Sequence, residues 1–168
     1  MAAQQTDDDP WHMTEDGCHV ALTHSPLSAS SVLDLVRSPS AGALVLFAAN
    51  ILGTTRDNFA GKPVKELQYT AYRPRALRTM LEIARGVRQT HGLHGVALVH
   101  RLGTVPIGEE SILVAVSSAH RQAAWRAGED ALERCKDRVE VWKREEFVGE
   151  NGVWRANRDG AVGEKVTE

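Results

Sequence analysis

The sequence predicts an α+β fold with a mixed or antiparallel sheet, packed helices and a C-terminal β-hairpin. Segments with strand periodicity and segments with helical periodicity follow one another in irregular order, which disfavours a doubly wound parallel sheet. The 168 residues, 42% hydrophobic and 25% charged, suit one globular domain. We expect it to span residues 18–158, between a flexible acidic tail at 1–17 and a flexible tail at 159–168.

The first elements follow from short local patterns. Residues 18–23 alternate apolar and polar side chains, which is typical of a half-buried strand. Ser28 or Ser30 is expected to cap a short helix, which Pro39 prevents from continuing. Residues 42–47 are uncharged and largely apolar, and they predict a buried strand.

The middle of the chain combines a loop, a strand and the clearest helix. Residues 53–61 are polar and bounded by glycines, which indicates a loop that carries Arg56. Residues 66–72 alternate again and predict a strand, which could neighbour the preceding one. Apolar residues then recur at helical spacing, with Pro74 in the first turn and Gly92 at the end.

Two strands and a third helix come next. Residues 96–101 and 111–117 predict strands joined by a link rich in glycine and proline. Ser117 or Ser118 is expected to cap the helix that follows. Its apolar stripe consists mostly of small residues, which allow close packing against a neighbour.

The last predicted elements form a hairpin. Residues 139–148 and 153–157 have strand character, and the sequence Asn151-Gly152 between them is a strong turn signal. We therefore expect the turn at this dipeptide.

Charge and cysteine content exclude several classes of protein. The formal net charge is −2, which provides no overall field for nucleic acid or an anionic membrane. The two cysteines, Cys18 and Cys135, are too few for a disulfide framework or a zinc site, so we expect a reducing compartment. The acidic start has neither the basic residues nor the apolar core of a signal peptide, and the cytoplasm is the expected location.

Basic residues at one helix start suggest a local anion site. His120 and Arg121 follow a strand directly and lie beside the free backbone N–H groups of the helix that begins there. Such a site would hold a phosphate or a carboxylate. Arg121 at the surface and His120 as a packing residue are the alternative, and Arg56 in a polar loop is by itself more often only solvated.

Two lysines lie seven residues apart across a predicted helix-to-strand turn. Lys136 could simply favour the negative end of the helix dipole, and Lys143 could lie on the ring of Trp142. A lysine beside other cations and partly screened from water loses proton affinity, however, and can act as a nucleophile or acid–base group. Lys136 and Lys143 could therefore serve one pocket.

Several blocks in order resemble the large, catalytic subunit family of molybdopterin synthase. They are VHRLGTVPIGE at 99–109, VSSAHR at 116–121 and VWKRE at 141–145, with GTTRDNF at 53–59 and LQYTAY at 67–72. The similarity extends over roughly residues 20–158. The resemblance implies an α/β-hammerhead type of fold.

The resemblance also implies a function. Members of this family are cytosolic enzymes that convert cyclic pyranopterin monophosphate (precursor Z) into molybdopterin by inserting two sulfurs. The sulfur comes from the thiocarboxylated C-terminus of a small ubiquitin-like subunit, in a heterotetramer built around a homodimer of large subunits. No metal or other cofactor is implied.

Individual residues match positions of known role in that family. Lys136 and Lys143 lie at the two active-site lysines. Four residues lie at positions around the phosphate-bearing pterin: Arg56, His120, Arg121 and Arg158. The last three of these would come from the neighbouring subunit.

One segment departs from the family pattern. Five residues, 48–52, separate Phe47 from Gly53, where the family has one. The four extra residues are expected to lengthen the strand, bulge it or re-aim the loop that carries Arg56. If they disabled the site, the chain would be a catalytically impaired scaffold that binds the sulfur carrier. A small anion- or nucleotide-binding regulator is a further alternative.

Overall fold

A computed structural model describes residues 10–53, 63–156 and 164–165 of the chain. The first half contains β1 (His12–Glu15), β2 (Cys18–Thr23), α1 (Ala29–Val36), β3 (Ala43–Asn50), β4 (Val64–Ala71) and α2 (Arg73–His91). The second half contains β5 (Gly95–Arg101), β6 (Gly103–Pro106), β7 (Glu110–Ser118), α3 (Arg121–Arg138), β8 (Val141–Phe147), β9 (Glu150–Ala156) and β10 (Glu164–Lys165).

The strands form two five-stranded sheets, which confirms the predicted α+β class. The first sheet has the order β1-β2-β5-β7-β3 and the second has the order β10-β9-β8-β4-β6. Strands β2 and β5 are parallel, whereas the other pairs are antiparallel. The expected pairing of β3 with β4 is wrong, because β3 pairs with β7 and β4 lies in the second sheet between β8 and β6.

Helices cover both faces of the first sheet. Helix α1 contacts β5, β7 and β3 on one face, while α2 and α3 pack together and cover the other face. Small residues of α3 allow this close approach: a Cβ placed on Gly128 would lie 3.3 Å from Val45 Cγ1. The predicted small-residue stripe is confirmed, with Ala124, Ala127 and Ala131 fully buried.

The helix ends agree largely with the sequence. Ser28 caps α1, and its Oγ accepts a hydrogen bond from the Ser31 backbone N–H at 3.3 Å. Pro74 lies in the first turn of α2, and Gly92 ends that helix in the left-handed conformation at φ 63°. Among the described residues, no helix is both long enough and apolar enough to cross a membrane.

Three boundaries differ from the prediction. The acidic tail does not extend to residue 17, because β1 pairs with β2 through backbone hydrogen bonds. The second predicted tail also contains a strand, since Glu164–Lys165 pairs with β9. The hairpin turn is Val148-Gly149, where Gly149 supplies the positive φ of 78°. Asn151-Gly152 lies inside β9 instead.

Strand β3 is also not the buried strand expected from its composition. It is the last strand of its sheet, and of its eight residues only Val45 is buried. Strands β5 and β7, which have a neighbour on each side, are buried along nearly their whole length, but β3 has only one neighbour.

Candidate functional site

The two predicted catalytic lysines lie on either side of a tight connection between α3 and β8. Lys136 is half-buried in the last turn of α3, where its positive charge interacts favourably with the negative end of the helix dipole. The helix ends as the Val139 N–H donates to Cys135 O at 3.0 Å, and Val141 N–H then donates to Val139 O at 2.8 Å. The chain therefore passes from helix to strand within two residues, and Lys143 follows on β8.

Strand pairing fixes the direction of Lys143. It lies on β8 between β4 and β9, directly opposite Tyr69 of β4. Val141, Glu145 and Phe147 alternate with the same period as Lys143 and are buried, so the lysine belongs to the inner face of the second sheet. Lys143 itself is half-buried, which screens its ammonium group partly from water.

Tyr69, which lies opposite Lys143, packs against a second ring, that of His100. The ring of Tyr69 meets that of His100 edge to face, with centroids 4.9 Å apart. His100 Nδ1 donates to the backbone oxygen of Arg101 at 2.7 Å. Burial lowers the pKa of His100 to about 4, although this hydrogen bond raises it in part. The imidazole is therefore neutral at pH 7 and cannot compete with Lys143 as a cation.

The hydroxyl of Tyr69 connects this region to the end of β3. Burial raises the pKa of Tyr69, while a hydrogen bond with Ser111 opposes that shift. Ser111 Oγ in turn donates to Ala49 O at 3.5 Å. The sequence predicted an alternating strand at 66–72, but the partner of Tyr69 on a different sheet emerges only from the fold.

His120 and Arg121 form the opposite end of α3. His120, rather than Ser117 or Ser118, is the N-cap residue, and its side chain makes no capping hydrogen bond. The prediction of a serine cap is wrong because Ser117 and Ser118 are the last residues of β7 and both are buried. Ser118 Oγ accepts a hydrogen bond from the His120 backbone N–H at 3.4 Å. His120 and Arg121 are both exposed beside the helix N-terminus, as the anion-site hypothesis requires.

Within one chain, the pair His120 and Arg121 is far along α3 from Lys136. Fifteen residues of α3 separate Arg121 from Lys136, which at 1.5 Å per residue is about 22 Å. The helix is continuous over this length. Arg121 and Lys136 therefore lie at opposite ends of the same helix.

The predicted substrate-binding residues Arg56 and Arg158 lie outside the described residues. The extra segment before Arg56 is described as far as Gly53. It lengthens β3 to Asn50, with a register shift between Ala49 and Asn50, so the predicted lengthening and bulge are confirmed. Ile51 is buried, its N–H donates to Glu109 O at 3.0 Å, and its carbonyl accepts from Gly108 N–H at 3.1 Å.

An open cleft of about 770 Å³ adjoins the lysine end of α3. Its lining includes three arginines and three carboxylates: Arg75, Arg78, Arg138, Glu82, Asp137 and Glu140. Glu140 pairs with Arg75 at 3.3 Å, and Glu82 pairs with Arg138 at 3.3 Å. The charges balance, so this cleft does not select anions.

Comparison with known proteins places this architecture in a family. A family model described as "MoaE protein" matches residues 22–138. A molybdopterin synthase catalytic subunit of Sclerotinia sclerotiorum is 66% identical over 157 residues, which cover 93% of this chain and 78% of that protein. Among solved structures, molybdopterin synthase from Staphylococcus aureus has a TM-score of 0.73 at 29% identity, with 80% of this chain and 94% of that chain covered.

A second solved structure is similar in fold. It is a complex of subunits 1 and 2 of molybdopterin-converting factor from Helicobacter pylori, with a TM-score of 0.61 at 18% identity. The superposition covers 78% of this chain and 90% of that chain.

Proposed function

The chain belongs to the MoaE family and is an enzyme of molybdenum cofactor biosynthesis like its molybdopterin synthase relatives, and on this premise we propose its detailed reaction. It converts cyclic pyranopterin monophosphate (precursor Z) into molybdopterin. Two sulfurs come from the thiocarboxylated C-terminus of a small ubiquitin-like subunit. The Helicobacter pylori complex of two subunits supports such a partner, and the two free, buried cysteines suit a reducing cytosol.

The observation that carries this proposal is the placement of the lysines. Lys136 and Lys143 are half-buried on either side of a two-residue connection, and Lys143 lies opposite Tyr69, whose ring packs against the neutral ring of His100. In such partly dry surroundings an ammonium group interacts more strongly with an anion than in bulk water. The two lysines neutralise the thiocarboxylate of the carrier and transfer protons while its sulfur attacks the pterin side chain.

The phosphate of the substrate is held by other cations. His120 and Arg121 provide donors beside the free N–H groups of α3, and Arg56 and Arg158 complete the proposed binding set. Because about 22 Å of helix separates Arg121 from Lys136, the phosphate and the lysines can meet only if His120 and Arg121 come from a second copy. A homodimer of large subunits within a heterotetramer satisfies this requirement.

The direct test is reconstitution. The purified chain, the thiocarboxylated small subunit and precursor Z are combined without oxygen, and molybdopterin is measured as its fluorescent oxidation product. Lys136→Ala and Lys143→Ala should each lower turnover about 10²- to 10⁴-fold, as expected for loss of a proton-transferring group. Lys65→Ala, which removes an exposed lysine of β4, is the matched control and should retain full turnover.

Mixed dimers test the shared pocket. A Lys143→Ala chain and an Arg121→Ala chain are refolded together and assayed at precursor Z concentrations below KM, where each chain alone should retain little turnover. Half of the random dimers then contain one intact pocket of two, so about a quarter of wild-type turnover should return. Carrier binding without any turnover in the wild-type chain would instead support a scaffold, and failure to bind the carrier would support an anion-binding regulator.

A further inference from the structure

The two lysines of the proposed reaction belong to different layers of the molecule. Lys136 lies on α3, which packs against β7 and β3 of the first sheet, whereas Lys143 lies on β8 of the second sheet. The short connection between α3 and β8 limits how far the lysines can separate. Their relative direction also depends on how the second sheet is held against the first.

The chain crosses from the second sheet to the first at the turn 106–109. Strand β6 ends at Pro106, and β7 begins at Glu110. The Glu109 N–H donates to Pro106 O at 3.1 Å, and Gly108 has a positive φ of 84°, as in a type II turn. Arg101, at the end of β5, is buried and pairs with Glu109. Movement of this turn would therefore shift one sheet relative to the other.

The segment that departs from the family pattern, 48–52, ends on this turn. The Ile51 N–H donates to Glu109 O at 3.0 Å, and Ile51 O accepts from the Gly108 N–H at 3.1 Å. Gly53 O accepts a hydrogen bond at 2.9 Å from the N–H of Val64, the first residue of β4. Because the chain enters this region from β3 of the first sheet, these bonds tie it to the turn and to the second sheet. Residues 51–53 therefore form a brace between the two sheets.

The side chain of Ile51 anchors the brace in the core. Ile51 is 3% exposed and belongs to the same buried cluster as Tyr69 of β4 and Val141 of β8. The next residue, Leu52, is 59% exposed. Insertions that a fold merely tolerates usually lie at the surface, in segments with few fixed contacts. A buried side chain and two backbone hydrogen bonds instead make Ile51 part of the packed structure.

We propose that Ile51 is a positioning residue for the lysine pair. By holding the turn 106–109 and the start of β4, the brace fixes the second sheet, with Lys143, relative to α3, with Lys136. Such fixed geometry matters because a shift of about 1 Å in a reacting group can cost about 100-fold in rate. The inference rests on the proposed function, which gives the lysines their catalytic role. The extra residues are then part of the working site rather than a cause of its impairment.

Truncation of the anchor tests the brace. Ile51→Ala removes most of the buried side chain, and kcat for molybdopterin formation should fall about 10- to 100-fold. KM for precursor Z should change less, because His120 and Arg121 lie at the far end of α3. Leu52→Ala, at the exposed neighbouring position, is the matched control and should retain full turnover. Circular dichroism gives the folded fraction by which each rate is divided.

A milder variant keeps the test open if the alanine variant does not fold. Ile51→Val removes a single methyl group and should lower kcat about two- to fivefold. Its comparison with Leu52→Ala then decides the result, because a brace that positions the lysines predicts a loss only at the buried position.

A double variant separates positioning from a general loss of structure. If Ile51 acts through the lysines, Ile51→Ala should lower the residual rate of Lys143→Ala less than about twofold, although it lowers the rate of the wild-type chain much more. Two multiplied losses would overturn the inference, as would equal kcat values for the Ile51 variants and Leu52→Ala, and the proposed reaction would stand in both cases. A wild-type chain that binds the carrier without turnover would overturn the proposed function and this role with it.

Discussion

The two ends of α3 differ in burial and in surroundings. At the N-terminal end, His120 and Arg121 are exposed, and the side chain of the N-cap residue His120 makes no capping hydrogen bond. At the C-terminal end, Lys136 is half-buried, and the chain turns at once into β8, where Lys143 is half-buried opposite Tyr69. An open cationic end suits capture of a diffusing anion, whereas a screened end suits chemistry that requires partial exclusion of water.

Acidification should damage the lysine end first. His100 is buried and its pKa is lowered to about 4, so the unfolded chain binds a proton on His100 before the folded chain does. Stability therefore falls as the pH drops from about 6.5 to about 4, by roughly 3 kcal/mol from this group. Urea unfolding at several pH values measures the loss.

A neutral replacement separates His100 from the other groups. His100→Gln keeps a hydrogen-bond donor without a titrating ring. Between pH 6.5 and pH 4, the free energy of unfolding of this variant should fall by about 3 kcal/mol less than that of the wild-type chain. An unchanged pH dependence in this variant would contradict the assignment. Loss of stability at neutral pH alone would reflect only altered packing.

Removing a cation from the open end should affect binding more than chemistry. Arg121→Ala removes one of the proposed charge-assisted hydrogen bonds to the phosphate, so KM for precursor Z should rise about 10- to 100-fold while kcat changes less. Arg126→Ala removes another exposed arginine of α3 and serves as the control. A large fall in kcat with unchanged KM would place Arg121 in the chemical step and erase the contrast between the two ends.

The smallest effect is expected in the middle of α3. His91 Nε2 donates to Asp130 at 2.9 Å, and Arg134 Nε donates to the same carboxylate at 2.8 Å. Burial favours a higher pKa for Asp130, but these two hydrogen bonds outweigh it and lower the pKa. Asp130→Asn should cost about 1 kcal/mol of unfolding free energy at pH 7, with no change in turnover. Glu133→Gln, at an exposed position of the same helix, should cost less.

The contribution of Asp130 has a definite pH dependence. Because its folded pKa lies below the ordinary value, the stabilisation is present at neutral pH and is lost as the pH falls through that lowered value. The wild-type and Asp130→Asn curves of stability against pH should therefore converge in acid. A constant difference between the curves would show that packing, rather than the carboxylate charge, is responsible.

Local sequence determined most of the elements of this protein. Ser28, Pro74 and Gly92 set helix ends because caps, a fixed φ and a left-handed residue act within one turn. The same holds for the alternation in β2 and β4 and for the small residues on α3. Signals that depend on more than one segment were less reliable. The hairpin turn lies at Gly149 rather than at Asn151-Gly152, and Ser117 and Ser118 belong to strand β7 instead of capping α3.

The sequence by itself also indicated the chemistry available, since Lys143, His120 and Arg121 stand in the blocks that resemble the family. Only the tertiary structure decided which of them can act together. Continuous helix holds Arg121 and Lys136 apart, sheet pairing places Lys143 opposite Tyr69, and sheet order places β3 last in the first sheet. The physical reason is that hydrogen-bonded caps and periodicity are local, whereas strand order, edges and distances between elements depend on contacts between residues far apart in the chain.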